Sequence, residues 1–220
     1  MFEIDLDWAV ASKYVLQPVG RRSTRDLAIC PAKDADITPY RPVEQCPALY
    51  AEFAKLDGSK KACLEFAHKY GLLYTDLKLA AVGRGVDPRV FETLRHWRAH
   101  IATVKEIINR CELSRTNPSE AFRQFVKKDK SLFGVELYLS VKSANSPASL
   151  DVRGVSLASA IELQAIQSIL EGHRSQQCIE CPRWFQIGVG ARRSQSKFCS
   201  IRCKDNYHNR LKAEARRDHA

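Results

Sequence analysis

Four cysteines near the end of the chain have the residue type and the spacing of a metal site. Cys178 and Cys181 form a C-x2-C pair, and after 17 intervening residues Cys199 and Cys203 form a C-x3-C pair. Zinc asks for four thiolates converging as a tetrahedron at about 2.3 Å. A C-x2-C turn presents two sulfurs from one tight knuckle. Sulfurs four residues apart share one face of a helix, and a helix N-terminus favours their negative charge. Gly188 and Gly190 supply a turn between the halves. Knuckle, hairpin, then a helix carrying two ligands in its first turn is a treble-clef-like order. Trp184, Phe185 and Phe198 are expected to pack around the metal as a small core. Four protein ligands leave no open coordination position, so one structural zinc ion is expected, and no catalysis by it.

The other four cysteines, Cys30, Cys46, Cys63 and Cys111, are scattered and read as small buried hydrophobes. Of the net charge of +10, residues 173–220 carry +7, from 11 Lys/Arg against 4 Asp/Glu. Four thiolates on a divalent ion take two units back and leave this segment about +5. A basic excess confined to one segment points to an anionic partner, most often nucleic acid.

The segment after Cys199 is expected to be a helix reaching about Arg217. Arg202, Asp205, Asn209, Lys212 and Arg216 form one stripe at i, i+3, i+4 spacing, apart from the metal side with Asn206, Tyr207 and Arg210. Arg and Asn pair with base edges, and Lys and Arg neutralise phosphates. The candidate nucleic-acid contacts are therefore Arg192, Arg193, Lys197, Arg202, Asn209, Lys212 and Arg216. A solvated basic face is the competing reading.

The run Cys178-Ile179-Glu180-Cys181-Pro182-Arg183-Trp184-Phe185, followed by Arg192-Arg193, Phe198-Cys199-Ser200 and Cys203, resembles the C-terminal zinc finger of bacterial CGNR-type proteins. The resemblance implies a transcription regulator with an ABATE-like N-terminal domain and DNA as the partner. The Phe-Cys-Ser-x-x-Cys piece also resembles TRASH and MYM-type fingers. Where the CGNR signature would stand, this chain has Cys203-Lys204-Asp205-Asn206. The segment Leu64-Glu65-Phe66-Ala67-His68-Lys69-Tyr70-Gly71-Leu72-Leu73 resembles a stretch found in uncharacterised bacterial proteins with such fingers.

Other constellations point away from an enzyme. Glu92, His96 and His100 stand four apart and could suit a metal, but beside an apolar stripe they read as a solvated polar flank. His208-Asn209 after a cysteine pair resembles the HNH nuclease arrangement. The catalytic histidine of that arrangement lies on the hairpin, and no histidine occurs between Cys181 and Cys199. There is no Gly-rich phosphate loop and no nucleophile elbow.

The elements that must position the site follow from pattern. Phe2, Ile4, Leu6 and Trp8 alternate as a strand, Tyr14-Val15-Leu16 suggests a second, and residues 20–45 read as a long proline-dotted loop. Pro47 opens a helix burying Leu49, Tyr50, Phe53 and Leu56. Ser59 caps the next, with Cys63, Phe66, Ala67 and Tyr70 inward and Gly71 as stop. Asp87-Pro88 should start a long helix with the stripe Val90, Leu94, Trp97, Ile101, Val104 and Ile108. Asn117-Pro118-Ser119-Glu120 is a further start signal. Val135, Leu137, Leu139 and Val141 form a strand pairing with Leu150-Asp151-Val152 across a turn at 143–147. Residues 156–171 form an apolar-rich helix ended by Gly172.

The expected fold is α+β. Residues 1–172 form a mostly helical domain with a few antiparallel strands, able to take a small molecule, a partner protein or a second copy of the chain. Residues 173–220 form the zinc finger with its basic helix. The first residues lack the basic and apolar regions of a signal peptide, and no run approaches a membrane span, so a cytoplasmic protein of bacterial style is expected. The favoured function is a nucleic-acid-binding regulator. A protein-interaction adaptor braced by its finger is the alternative.

Overall fold

The structure is a computed structural model describing residues 4–19, 26–82, 85–86, 90–113, 135–140, 149–154, 156–188, 191–193 and 195–217. It is mixed α+β with mainly antiparallel sheets. Strand β1 (Ile4–Asp5) runs parallel to β10 (Ser149–Gly154), which pairs antiparallel with β9 (Val135–Ser140). Leu150 faces Leu139 and Val152 faces Leu137, the pairing expected from the alternation. The turn at 143–147 and the start signal at Asn117 lie outside the described residues.

The N-terminal alternation is not one strand. The chain breaks at Leu6 and Asp7, and β2 (Trp8–Ala11) joins a different sheet, against β5 (Ile37–Tyr40). Phe2 lies outside the described residues. The expected loop at 20–45 is also corrected over residues 26–45, residues 20–25 lying outside the described residues. It holds β4 (Leu27–Pro31), central between β3 (Tyr14–Pro18) and β8 (Glu92–Thr93), then β5 and α1 (Pro42–Gln45). The prolines misled because their positions suit strands: Pro31 ends β4, and Pro39 lies in a two-stranded sheet. The apolar run Leu27–Cys30 carries the strand.

The helices follow local chemistry closely. Helix α2 (Leu49–Ala54) buries Leu49, Tyr50 and Phe53. Ser59 caps α3 (Lys60–Tyr70) by accepting from Ala62 N at 3.1 Å, and Cys63, Phe66, Ala67 and Tyr70 face inward. Gly71 ends it at φ +88°, and a Cβ there would lie 2.7 Å from the Ala9 carbonyl oxygen, so only glycine fits. A short α4 (Leu77–Ala80) and the pair β6 (Ala81–Val82) and β7 (Gly85–Val86) follow.

Helix α5 (Leu94–Leu113) starts later than Asp87-Pro88 suggested. Thr93 takes the capping role, its Oγ1 accepting from His96 N at 3.3 Å. Glu92 and Thr93 are instead paired to Ile29 and Ala28 of β4. Leu94, Trp97, Ile101, Val104 and Ile107 are buried. Helix α6 (Leu157–Leu170) runs through the centre, and residues 157–166 are all buried. Its first turn is closed by two serines, Ser156 Oγ accepting from Ser159 N and Ser159 Oγ from Ser156 N, each at 3.1 Å. Gly172 ends this segment at φ +67°. Phe53, Phe66 and Trp97 form the aromatic heart, with Phe53 and Phe66 rings 5.0 Å apart.

Candidate metal centre

Strand β11 (Arg174–Gln177) leads into Cys178, and its antiparallel partner β12 (Trp184–Ile187) leaves the knuckle after Cys181. The knuckle is tied by Cys178 N donating to Arg183 O at 3.0 Å. Gly188 takes φ +136°, and its N–H donates to Arg192 O at 2.8 Å, turning the chain back. Gly190 lies outside the described residues. Ile179 N donates to Lys197 O at 3.2 Å, which docks the returning segment on the knuckle. Helix α7 (Ile201–Arg217) then begins, its length as expected.

The two C-terminal cysteines do not both sit in the helix. Ser200 caps it, Oγ accepting from Cys203 N at 3.1 Å. Cys199 therefore precedes the cap, and Cys203 lies in the first turn. A serine at the N-cap outcompetes the extension of the helix back to Cys199.

All four sulfurs lie within 4.8 Å of one another. Cys181 and Cys199 are separated by 3.5 Å, Cys199 and Cys203 by 3.6 Å, and Cys203 and Cys181 by 3.8 Å. A tetrahedron with metal–sulfur bonds of about 2.3 Å has sulfur–sulfur edges of about 3.8 Å. The donor set fits a four-coordinate metal ion. Cys199 N also donates to Cys178 Sγ at 3.4 Å, the outer support that thiolate ligands use. Burial, together with the other three sulfurs, pushes the Cys199 thiol up to about 12. Cys178 moves the other way, to about 7: burial opposes this, but the backbone N–H groups of Cys199, Glu180 and Cys181 outweigh it. A cation among the four removes the conflict, because it stabilises every thiolate at once.

Phe185 and Ile187 are buried with Cys178 and Cys199, and Phe198 packs on them partly buried. Trp184 does not join this core as expected. Neighbours on a strand face opposite ways, so Trp184 turns to the main body and packs on its core. Lys55 Nζ lies 5.8 Å from the Trp184 ring centre. Ser175 of β11 donates to Tyr50 Oη at 2.7 Å, and Tyr50 Oη lies 2.6 Å from Ser168 Oγ. The cysteine lobe is thus bonded to α2 and α6. Between lobe and body runs a cleft of about 900 Å³, with Tyr40, Tyr70, Arg183 and Arg192 in its lining.

Helix α7 has no buried residue. The expected contact residues Arg192, Arg193, Lys197, Arg202, Asn209, Lys212 and Arg216 are all exposed, as is Asp205 in the same stripe. Arg210 pairs with Glu180 at 2.9 Å and is, among the described residues from 173 onward, the one Lys or Arg in an ion pair. Asn206, placed on the metal side from the helical spacing, is exposed as well.

The second candidate constellation is corrected. Glu92 lies on β8, not on α5, and it and His100 are buried, while His96 is exposed. Glu92 accepts from Leu73 N at 2.8 Å, Tyr74 N at 2.6 Å and Thr75 N at 3.1 Å. His100 Nδ1 lies 3.4 Å from Glu162 Oε1 of α6. The three groups do not converge on one point, so they form no metal site. Cys30, Cys46 and Cys63 are buried, as expected; the Cys111 side chain lies outside what is described.

A three-ring cluster went unread in the sequence. Phe198 lies 5.4 Å from Tyr207 and 6.1 Å from His208, with Tyr207 and His208 5.6 Å apart. The adjacent aromatics at 207 and 208 were the available signal. No described helix is long and apolar enough to cross a membrane. Compared with protein-family models, with curated proteins and with solved structures, the chain shows no match in any of the three.

Proposed function

We propose that Cys178, Cys181, Cys199 and Cys203 hold one structural zinc ion in a treble-clef-like finger, and that the finger binds nucleic acid as part of a transcription regulator. A tetrahedral all-sulfur set suits zinc. The ion supplies cross-linking, and its four thiolates leave no position for substrate, so the reading assigns no catalysis. The chain's own residues do the rest: Cys178 and Cys181 fix the knuckle, and Cys203 fixes the root of α7.

The observation that carries the reading is the state of α7. None of its residues is buried, only Cys203 and Tyr207 are partly covered, and Arg202, Lys204, Lys212, Arg216 and Arg217 stand exposed outside any described ion pair. Unpaired cations on a rigid rod suit a polyanion, and releasing its counterions makes binding salt-dependent.

The test is fluorescence anisotropy of labelled oligonucleotides with the zinc-loaded full chain across a salt series. Affinity should fall steeply with salt. Neutralising Lys212 and Arg216 together should flatten the slope by about two. Absence of salt-dependent affinity for any nucleic acid at low salt would replace this reading with the protein-interaction adaptor. One finger makes few contacts, so the body or a second copy of the chain is expected to contribute to tight binding.

A further inference from the structure

The proposed function leaves open the form of nucleic acid that the finger takes. Resting on that reading, we infer that the finger binds single strands, with bases stacked on the ring cluster of Phe198, Tyr207 and His208.

Helical spacing puts Lys204, Tyr207, His208, Leu211 and Ala215 on one flank of α7, distinct from the stripe of Arg202, Asn209 and Lys212. Phe198 closes this flank at its root, packed on the cysteine core. Arg210, held by Glu180, lies 5.6 Å over the Tyr207 ring. Phe198 and Tyr207 are therefore positioned, and both are partly buried. His208 is not: it is exposed, and its ring leans on the other two. Leu211, one turn further, is 42% exposed. The three rings are inclined to one another by 53–78°, and the cluster meets solvent at His208 and Leu211, so bases would stack on separate ring faces along the flank.

The charges around it select the occupant. Lys197 and Lys204 are exposed and neither is in a described ion pair; Asp205, three residues before His208, and Glu214, three after Leu211, are the carboxylates at the flank's edges. An aromatic platform bordered by free cations suits a chain of planar bases joined by phosphates. Stacking of bases on side-chain rings is the main attraction in single-strand binding, with cations tracking the backbone. A duplex offers base edges in its grooves while its base faces stay stacked on one another, so rings on a helix flank have nothing to stack on there. From Lys204 to Leu211 the flank extends about 10 Å at 1.5 Å per residue. That is room for about three bases at a 3.4 Å repeat.

The probes are labelled dT12, rU12 and a blunt 12-base-pair duplex, titrated with the zinc-loaded full chain at low salt. Both single strands should bind more tightly than the duplex. Comparing dT12 with rU12 tells which sugar is preferred. His208→Ala should weaken single-strand binding about fivefold, near the low end for one stacked base, and leave duplex binding unmoved. His208→Phe should restore the single-strand affinity, because it keeps a ring. The His208 ring protons should move upfield in NMR when dT12 is added. Because His208 is exposed, zinc content and circular dichroism of both variants report whether folding is intact. Duplex binding as tight as single-strand binding, with His208→Ala silent on both, overturns the inference and leaves the nucleic-acid reading standing. Self-association abolished by His208→Ala, with no stacking shift, assigns the platform to a second copy and also overturns it. Failure to bind any of the three probes removes the parent reading as well.

Discussion

Replacing Glu92 by glutamine tests whether a buried carboxylate holds the chain segment after α3. Glu92 is 4% exposed, and its two oxygens receive three successive backbone N–H groups, those of Leu73, Tyr74 and Thr75. The same segment is tied elsewhere: Trp8 Nε1 donates to Leu72 O at 3.0 Å and Ala158 N to Leu73 O at 2.8 Å. A glutamine has one acceptor oxygen and one NH2 group. Placed in its better orientation it keeps the Tyr74 and Thr75 bonds and turns an N–H against Leu73 N–H. The two opposed N–H groups, both left without an acceptor, cost about 2 kcal/mol, and the two surviving bonds lose their charge assistance at roughly 1 kcal/mol together. The expected loss is about 3 kcal/mol, and Glu92→Ala, with three orphaned donors, should lose more. Urea unfolding followed by circular dichroism gives the change, with an unaltered slope showing that the unfolded state is not responsible. Hydrogen exchange at residues 73–75 should quicken in both variants. Burial pushes the Glu92 carboxyl above its ordinary range while the three N–H groups pull against it. A glutamine variant within about 0.5 kcal/mol of the parent, with residues 73–75 still protected, would refute the carboxylate argument.

Removing the metal with a chelator should cost ellipticity corresponding to the 17 residues of α7 while the near-ultraviolet signal of Trp8 and Trp97 persists, because that helix has no buried residue and isolated helices of this length are marginal. Native mass spectrometry should find one zinc per chain, lost in Cys199→Ser; a folded, metal-free C-terminal segment would overturn the site. Tyr50→Phe removes the hydroxyl shared by Ser168 and Ser175 and should cost about 1–2 kcal/mol and raise protease sensitivity at β11; unchanged digestion would show that this network does not hold the lobe. Burial raises Tyr14 and Tyr70, which are 2% and 6% exposed, far above the ordinary tyrosine value. Native chains therefore keep protons that unfolded chains release, and the stability present below pH 10 should fall as pH rises, by less than about 1 kcal/mol from pH 9 to 10 and by about 2 kcal/mol from pH 10 to 11 for the pair. Urea midpoints at pH 9, 10 and 11 measure this, and a flat profile would count against it.

What could be read from the sequence was what short stretches decide by themselves. The cysteine spacing found the four-cysteine cluster because ligand geometry is local to a knuckle and a helix root. Ser59 and Gly71 marked α3 because a cap bonds within its own turn and a left-handed stop needs glycine. The alternation at 135–141 gave the right partner because one face of a strand must be buried. Only tertiary structure decided the rest. Glu92 and His100 looked solvated because their neighbours in sequence are polar; they are buried because the 72–75 segment and α6 bring donors and a carboxylate from 17 to 62 residues away. Trp184 looked like part of the metal core, yet strand alternation turned it to a body whose surface the local sequence does not encode. Pro31 and Pro39 looked like loop because their missing N–H groups forbid most ladder positions, and which positions are free depends on the neighbouring strand. The coupling between the cysteine lobe and the body, through Ser175, Tyr50 and Ser168, joins residues up to 125 apart in the chain. No periodicity announces such a contact, because its energy comes from burying hydroxyls that find partners only after the helices have packed.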